Sequence, residues 1–175
     1  MKGFTVWFTG PAQSDRNYLA RMVEESLLER GIRVELIDDE SAGKVLFEGL
    51  GGSPEDREMA VARAAHVSEM LARNEVIALV SLDAPYREAR ESAREMLGDF
   101  CEILVKGDAG GETFEEPAKP EVLVDMQADG EDQCVTTIVR TLELLKLIPA
   151  DETSAEYSGD EEEKITKRLK DLGYI

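Results

Sequence analysis

Short apolar, β-rich runs alternate with stretches of helical periodicity through residues 1–149, and this alternation constrains the fold more than any other feature. The runs that indicate strands are residues 4–9, 34–37, 76–81, 101–105 and 121–125. The stretches with helical spacing of apolar residues are 18–30, 54–73, 85–97 and 132–147. Because parallel neighbouring strands need a crossover connection, usually a helix, the sequence predicts an α/β fold with a three-layer parallel sheet flanked by helices.

The carboxyl ends of the predicted strands are the expected place for a ligand, because open α/β sheets bind ligands at that edge. Gly10 follows the first strand, Asp38 and Asp39 follow the second, and Leu82 follows the third. We therefore expect the functional residues to lie close to these positions.

The composition excludes several classes of partner. The formal net charge of the 175 residues is −18, from 20 basic and 38 acidic side chains. Such an acidic chain repels nucleic acids and anionic lipid surfaces, which bind basic patches. No apolar run approaches the roughly 20 residues that span a bilayer, and the amino-terminal stretch lacks the cleavage site of a signal peptide. We expect a cytoplasmic protein without a nucleic-acid or membrane partner.

The cysteines and the histidine form no metal-binding or disulfide pattern. Cys101 lies beside an apolar run and Cys134 lies near a predicted helix start, so both are interpreted as core residues. His66 stands in a helical stretch without a second histidine or a cysteine nearby. We expect no metal site built from these side chains.

The chain divides into a main domain, a linker and a short helical tail. Pro149 ends the α/β domain of residues 1–149, and the acidic residues 150–163 have few large apolar side chains, as is typical of a linker. Residues 164–175 contain a short amphipathic helix. Because an isolated helix of this length is marginal in water, we expect it to dock on its own domain, on a second copy of the chain, or on another protein.

Several segments resemble the adenylylsulfate (APS) kinase family of P-loop kinases. They are KGFTVWFTG, DREMAV, LARNEVIALVS, APYREARE and GDFCEILV, and their order and spacing match the family from about residue 3 to residue 120. The resemblance implies a P-loop kinase-like parallel sheet and a homodimer. It also implies transfer of a phosphoryl group from ATP to adenylylsulfate in the presence of Mg²⁺.

The phosphate loop of the family has the form GxxxxGK[ST]. Its glycines let backbone N–H groups surround the phosphates, its lysine neutralises charge and its hydroxyl holds Mg²⁺. The matching segment here is GPAQSDRN, in which Gly10 is kept while Asp15, Arg16 and Asn17 replace the second glycine, the lysine and the hydroxyl residue. The resemblance therefore makes Gly10, Arg16 and Asn17 the remnant of a nucleotide site, and Asp15 is interpreted as the N-cap of the next helix.

The substrate and metal positions are partly kept. The acidic DGD motif of the family corresponds to Asp38, Asp39 and Glu40, whereas Gly43 replaces an arginine and Gly52 replaces a phenylalanine. The resemblance assigns the substrate-site remnant to Arg57, Arg63, Tyr86 and Arg87.

The family also carries a long basic lid after the fourth strand. Here residues 106–111 lead almost directly into residues 112–117, so we predict that the lid is missing. Phosphoryl transfer relies on a closure that excludes water and supplies positive charge.

These departures lead to a main prediction and two alternatives. The main prediction is a catalytically inactive pseudokinase that binds, regulates or scaffolds, needs no cofactor, and has a partner in sulfate assimilation. The first alternative is a divergent adenylylsulfate kinase, with Arg16 at the phosphates of ATP and Asp38 with Glu40 at Mg²⁺. The second is anion binding without chemistry, through Arg57, Arg63 and Arg87.

Overall fold

A computed structural model describes residues 2–12, 14–107, 113–151 and 159–175. Five strands form one parallel sheet in the order β2-β3-β1-β4-β5. The strands are β1 (Thr5–Thr9), β2 (Val34–Asp38), β3 (Ile77–Ser81), β4 (Phe100–Val105) and β5 (Val122–Val124). The prediction of an α/β fold with a parallel sheet flanked by helices is confirmed.

Seven helices connect and flank these strands within the described ranges. They are α1 (Arg16–Glu29), α2 (Gly43–Leu46), α3 (Pro54–Arg73), α4 (Arg87–Leu97), α5 (Met126–Asp129), α6 (Glu131–Leu144) and α7 (Gly159–Leu172). The start of α3 follows from its cap, since the Ser53 hydroxyl accepts a hydrogen bond from the backbone N–H of Asp56 at 3.2 Å. The sequence did not predict α2 and α5, because four residues are too few to show helical periodicity.

Two helical layers cover the sheet. Val6 and Phe8 of β1 pack in the layer of α1 and α6, whereas Trp7 packs in the layer of α3 and α4. This alternation follows from the two-residue period of a strand. Cys101 and Cys134 are buried and free, as the sequence predicted. In the part of the chain that the structure describes, no helix is long and apolar enough to cross a membrane.

Helix α7 docks on its own domain, which is one of the three predicted possibilities. The Arg168 guanidinium donates to the backbone carbonyl oxygens of Pro120 and Glu121, and Leu169 is fully buried. The helix begins at Gly159, before the predicted start at residue 164, because acidic residues are favourable in the first turn of a helix as well as in a linker. Residues 152–158 of the predicted linker lie outside the described residues.

Candidate active site

The loop between β1 and α1 packs tightly against the end of β4. A Cβ atom at Gly10 would lie 2.4 Å from the carbonyl oxygen of Val105, and one at Gly107 would lie 2.8 Å from the Cα of Ser14. Neither position can hold a side chain without movement of the backbone. The Ser14 hydroxyl is buried and has no hydrogen-bond partner among the described residues. The loop therefore holds one buried, unpartnered polar group at the point where a phosphate loop would bind its ligand.

Arg16 is buried beneath this loop and connects it to two neighbouring strand ends. Its Nε donates to the carbonyl oxygen of Leu82 at 3.2 Å, and its Nη1 donates to that of Pro11 at 3.1 Å. Its Nη2 lies 3.9 Å from Oδ2 of Asp39. The predicted phosphate-binding charge is thus present under the loop, where it also fixes the loop relative to β2 and β3.

Asn17 joins the start of α1 to the end of β3. The Ser81 hydroxyl donates to Oδ1 of Asn17 at 2.5 Å. The structure therefore brings three of the predicted residues, Gly10, Arg16 and Asn17, to the same edge of the sheet.

Asp38 organises the turn that follows β2. Its Oδ1 accepts hydrogen bonds from the backbone N–H groups of Glu40 at 3.1 Å and Ser41 at 2.6 Å and from the Ser41 hydroxyl at 2.6 Å. Its Oδ2 accepts from Nη2 of Arg21 at 2.9 Å. Burial opposes ionisation, but the hydrogen bonds from Ser41 and Arg21 outweigh it and lower the pKa of Asp38. Asp38 is therefore ionised with both oxygens in use.

Arg21 is a site residue that the sequence analysis missed. The same Nη2 lies 2.6 Å from Oε2 of Glu40, so Arg21 holds two of the predicted acidic residues. The sequence spacing could have identified Arg21, because it follows Asn17 by one helical turn and therefore shares its face of α1.

Asp39 and Asp83 meet beyond the ends of β2 and β3, where the backbone N–H of Asp83 donates to the Asp39 carboxylate. Nη1 of Arg57 lies 3.2 Å from Oδ2 of Asp83. Withdrawal from water raises the pKa of Asp39 and Asp83 adds to the effect, although Arg16 opposes it. The side chains of Asp39 and Asp83 remain 46% and 38% exposed. We call Arg16, Asp39, Arg57 and Asp83 the strand-end cluster.

The other predicted substrate residues lie around α3 and α4. Arg63 donates to the carbonyl oxygens of Leu46 at 2.9 Å and Glu48 at 3.3 Å, which holds the connection between α2 and α3. Half-buried Tyr86 precedes the first residue of α4. The exposed Arg87 donates through Nε to the carbonyl oxygen of Glu116 at 2.7 Å.

The segment after β4 bears on the predicted loss of the lid. Residues 108–112 lie outside the described residues. In the part that follows, the backbone N–H of Glu115 donates to the carbonyl oxygen of Pro85 at 2.9 Å. The Arg90 guanidinium lies 5.4 Å from the centroid of the Phe114 ring. This segment is therefore fastened to the start of α4, and the absence of a lid stays a prediction.

A cavity of about 430 Å³ opens at the carboxyl ends of β1, β4 and β5. Its lining includes Pro11, Asp15, Lys106, Phe114, Asp125 and Gln127. Cavities of this size bind small ligands. Asp15 stands at the predicted N-cap position of α1, but its side chain makes no capping hydrogen bond. That part of the prediction is wrong, since the carboxylate lines the cavity.

Comparisons of sequence and of fold with known proteins both give the family that the sequence segments resemble. The family model described as adenylylsulphate kinase matches residues 2–113. The adenylyl-sulfate kinase of Picosynechococcus sp. is 36% identical over 178 residues, which cover 99% of this chain and 97% of that protein.

Two solved structures are similar in fold. The hexameric APS kinase from Thiobacillus denitrificans has a TM-score of 0.76 at 32% identity, over 86% of this chain and 30% of that chain. The Mycobacterium tuberculosis APS kinase in complex with AMPPNP and APS has a TM-score of 0.73 at 25% identity, over 81% of this chain and 98% of that chain.

These relatives correct the prediction of a catalytically inactive binding, regulatory or scaffolding module. A protein that is alike over nearly its whole length is named an adenylyl-sulfate kinase, which favours the alternative of an active kinase. The expectation that no cofactor is needed is likewise not supported. The prediction rested on the combined loss of motif residues and of the lid, whereas the fold keeps a polar group, a buried arginine and paired carboxylates at the same edge of the sheet. The chain belongs to the adenylylsulphate kinase family.

Proposed function

We propose that the chain is a divergent adenylylsulfate kinase that transfers the γ-phosphate of ATP to the 3′-hydroxyl of adenylylsulfate. The observation that carries this proposal is the 36% identity to the Picosynechococcus adenylyl-sulfate kinase over 99% of this chain. In this reaction the hydroxyl oxygen bonds to the γ-phosphorus and the bond from that phosphorus to the bridging oxygen breaks. ADP leaves, and the hydroxyl proton passes to a carboxylate.

The phosphates of ATP would lie against the loop between β1 and α1. The unpartnered Ser14 hydroxyl is able to donate to a phosphate oxygen, and the amino terminus of α1 attracts negative charge. Arg16 supplies positive charge from beneath the loop, and Lys106 lines the adjoining cavity. We infer that these two side chains take over the role of the lysine that a degenerate Walker A loop has lost.

The carboxylates at the strand ends fit a Mg²⁺ ion of the type used with nucleotides. Such an ion keeps several waters and needs only one or two protein carboxylates besides the phosphates. Asp39 and Asp83 are adjacent and partly exposed. Asp38 would instead orient the turn that carries Asp39 and Glu40. When bound, Mg²⁺ would neutralise charge on the transferred phosphoryl group.

Where Mg²⁺ is held through Asp83 and water, Asp39 is the better proton acceptor of the two neighbouring aspartates. Its pKa is raised, whereas that of Asp38 is lowered, and a catalytic base is most effective when its pKa approaches the working pH. Arg57 and Arg87 would bind the anionic groups of adenylylsulfate beside Tyr86. Arg63 would contribute indirectly, by holding the connection between α2 and α3.

The assembly and location remain proposals as well. A homodimer follows from the resemblance, and a hexameric APS kinase is among the similar structures. We propose a cytoplasmic enzyme, since ATP is supplied there. The proposed shortening of the lid would leave residues 113–117, fastened to α4, as the nearest cover of the site.

A turnover assay tests the proposed function. Purified protein is supplied with Mg²⁺, ATP and adenylylsulfate, and formation of ADP and phosphorylated adenylylsulfate is measured. We expect turnover by the natural sequence and losses of about 100-fold in kcat/KM for Arg16→Ala and Asp39→Asn, the scale of removing one charge-stabilising group. Glu69→Gln, which alters a surface ion pair on α3, should leave kcat/KM unchanged. Absence of product with the natural sequence would refute the proposal.

A further inference from the structure

The end of α7 is shaped so that a tyrosine reaches a buried glutamate. Gly173 has a positive φ of 84°, and the backbone N–H groups of Gly173 and Tyr174 donate to the carbonyl oxygens of Lys170 at 3.0 Å and Leu169 at 2.9 Å. This is the glycine-dependent turn that commonly ends helices. It directs the Tyr174 hydroxyl to the Glu121 carboxylate, to which it donates a hydrogen bond.

Glu121 is held by several groups at once. Its carboxylate accepts from Nη1 and Nη2 of Arg94 at 2.7 Å and 3.0 Å, and from the backbone N–H of Glu102 at 2.6 Å. Arg168 of α7 donates to its carbonyl oxygen at 3.0 Å. Burial and the neighbouring Glu121 raise the pKa of Tyr174 to about 12, so its hydroxyl keeps the proton that it donates.

The contacts continue from Glu121 to the substrate side of the site. Nη2 of Arg94 lies 3.3 Å from Oε2 of Glu102, and Oε1 of Glu102 accepts from Nε of Arg90 at 3.0 Å. Arg90 is 1% exposed and donates to the carbonyl oxygens of Ala84 and Glu115, both at 2.5 Å. Ala84 opens the segment that carries Tyr86 and Arg87. We call Arg90, Glu102, Arg94 and Glu121 the buried relay.

Hydrogen bonds link the side chains of the buried relay, and a cavity borders them on one side. A cavity of about 250 Å³ borders Arg87, Arg90, Arg94, Lys119, Glu121 and Tyr174. Close-packed interiors hold side chains by contact on all sides, but the Arg94 side chain at the edge of this cavity stays 29% exposed. Losing a single donor therefore allows the relay to rearrange, as partly satisfied buried networks do.

We propose that the end of α7 is a positioning element for the substrate site, and that Tyr174 acts through the buried relay on residues 84–87 and 113–117. For its effect on substrate this inference rests on the proposed kinase function. Tyr174 and Arg94 do not touch the substrate in this account. They set the backbone positions that Arg90 holds, and through them the direction of Arg87.

The test compares two substitutions that remove the same type of bond. Tyr174→Phe removes the tyrosine–glutamate hydrogen bond at the relay, and Tyr18→Phe removes one between Tyr18 and Glu131, which is 3.0 Å long and lies at the protein surface. The first readout is hydrogen exchange at two amides. The N–H of Glu115 bonds to Pro85, and the N–H of Arg87 bonds to the Glu115 carboxylate at 2.8 Å. The second readout is the KM for adenylylsulfate beside the KM for ATP.

We expect Tyr174→Phe to speed exchange at both amides and to raise the KM for adenylylsulfate about fivefold, the lower end of coupling between sites. Its kcat and its KM for ATP should stay within about twofold of the natural values. Tyr18→Phe should change none of these quantities. Arg90→Lys keeps the charge but loses the planar set of donors, and should raise the KM for adenylylsulfate further.

Three outcomes overturn the proposal. One is that Tyr174→Phe and Tyr18→Phe show the same exchange rates at the two amides and the same KM for adenylylsulfate. Another is a raised KM in Arg90→Lys with none in Tyr174→Phe, which would separate α7 from the site. If the natural sequence shows no turnover, the proposed function fails. Hydrogen exchange then tests the relay by itself. Faster exchange at the two amides in Tyr174→Phe supports the relay, and unchanged exchange overturns it.

Discussion

The strand-end cluster and the buried relay are both built from arginines and carboxylates, but they differ in exposure. In the cluster, the side chains of Asp39 and Asp83 are 46% and 38% exposed. In the relay, those of Arg90 and Glu102 are 1% and 8% exposed. The cluster borders the open edge of the sheet, whereas the relay joins α4 to β4 and Glu121 and is bonded to backbone carbonyl groups.

This difference separates ligand binding from positioning. Exposed ion pairs contribute about 0–1 kcal/mol to stability, so the partly exposed Asp39, Arg57 and Asp83 can exchange an internal partner for a ligand at little cost, while Arg16 stays buried beside them. Breaking a buried pair costs about 3–5 kcal/mol because an unpaired charge stays inside the protein. The relay therefore keeps one arrangement, and the cluster is free to respond to a phosphate or a cation.

The largest expected effect breaks the relay. Arg90→Ala leaves Glu102 buried without its closest partner, and burial already raises the pKa of Glu102 despite Arg90 and Arg94. We expect the free energy of unfolding to fall by about 3–5 kcal/mol, as measured by denaturant titration. A loss below about 1 kcal/mol would place this pair in the same class as the exposed pairs.

The next effect concerns Asp38, which is buried but lies beside the cluster. Asp38→Asn removes a carboxylate that accepts hydrogen bonds from Ser41 and Arg21. We expect a loss of about 2 kcal/mol at neutral pH, as for hydrogen bonds to a charged group, in denaturant titrations at several pH values.

The pH dependence of that loss has a definite sign. Because the pKa of Asp38 is lower in the folded state, its ionised form stabilises the fold at pH values above the ordinary aspartate pKa of 3.8. The contribution disappears as the pH falls through the lowered folded pKa. The difference between Asp38→Asn and the natural sequence should therefore shrink below pH 3.8. A difference that grew on acidification would contradict this account.

The smallest expected change in stability concerns the strand-end cluster. Arg57→Ala breaks the partly exposed pair with Asp83, so the free energy of unfolding should change by less than about 1 kcal/mol. The KM for adenylylsulfate should nevertheless rise about tenfold, because a charge-assisted contact to substrate is worth about 1.5 kcal/mol or more. Steady-state kinetics and denaturant titration on the same sample check both numbers. A large loss of stability with unchanged KM would reverse the roles of the two regions.

The sequence was sufficient to predict those strands, helix starts and turns that depend only on neighbouring residues in the chain. The continuous apolar run before Ser81 predicted a buried central strand, and Ser53 followed by Pro54 predicted the start of α3. The position of Gly10 at the end of β1 followed from the loop motif. These features depend on neighbours in the chain, so no tertiary contact was needed to find them.

The remaining features depend on contacts between distant segments. The direction of Arg16 is set by the carbonyl oxygen of Leu82, which is far away in sequence. Glu102 looks like a solvent-facing residue in its strand, but Arg90 and Arg94 bury it. The docking of α7 likewise depends on where Pro120 and Glu121 lie relative to β5. Periodicity cannot supply such distances, and substitutions in a motif do not reveal which substitute charges the fold brings near.

The central claim is tested most directly in a single-turnover experiment with the protein in excess over ATP labelled at the γ-phosphate. Adenylylsulfate and Mg²⁺ are present, and the products are separated and their label is counted. We expect the label to move to the 3′-hydroxyl of adenylylsulfate in an amount close to that of the ATP. Label that stays on ATP, or that appears only as inorganic phosphate, would contradict it.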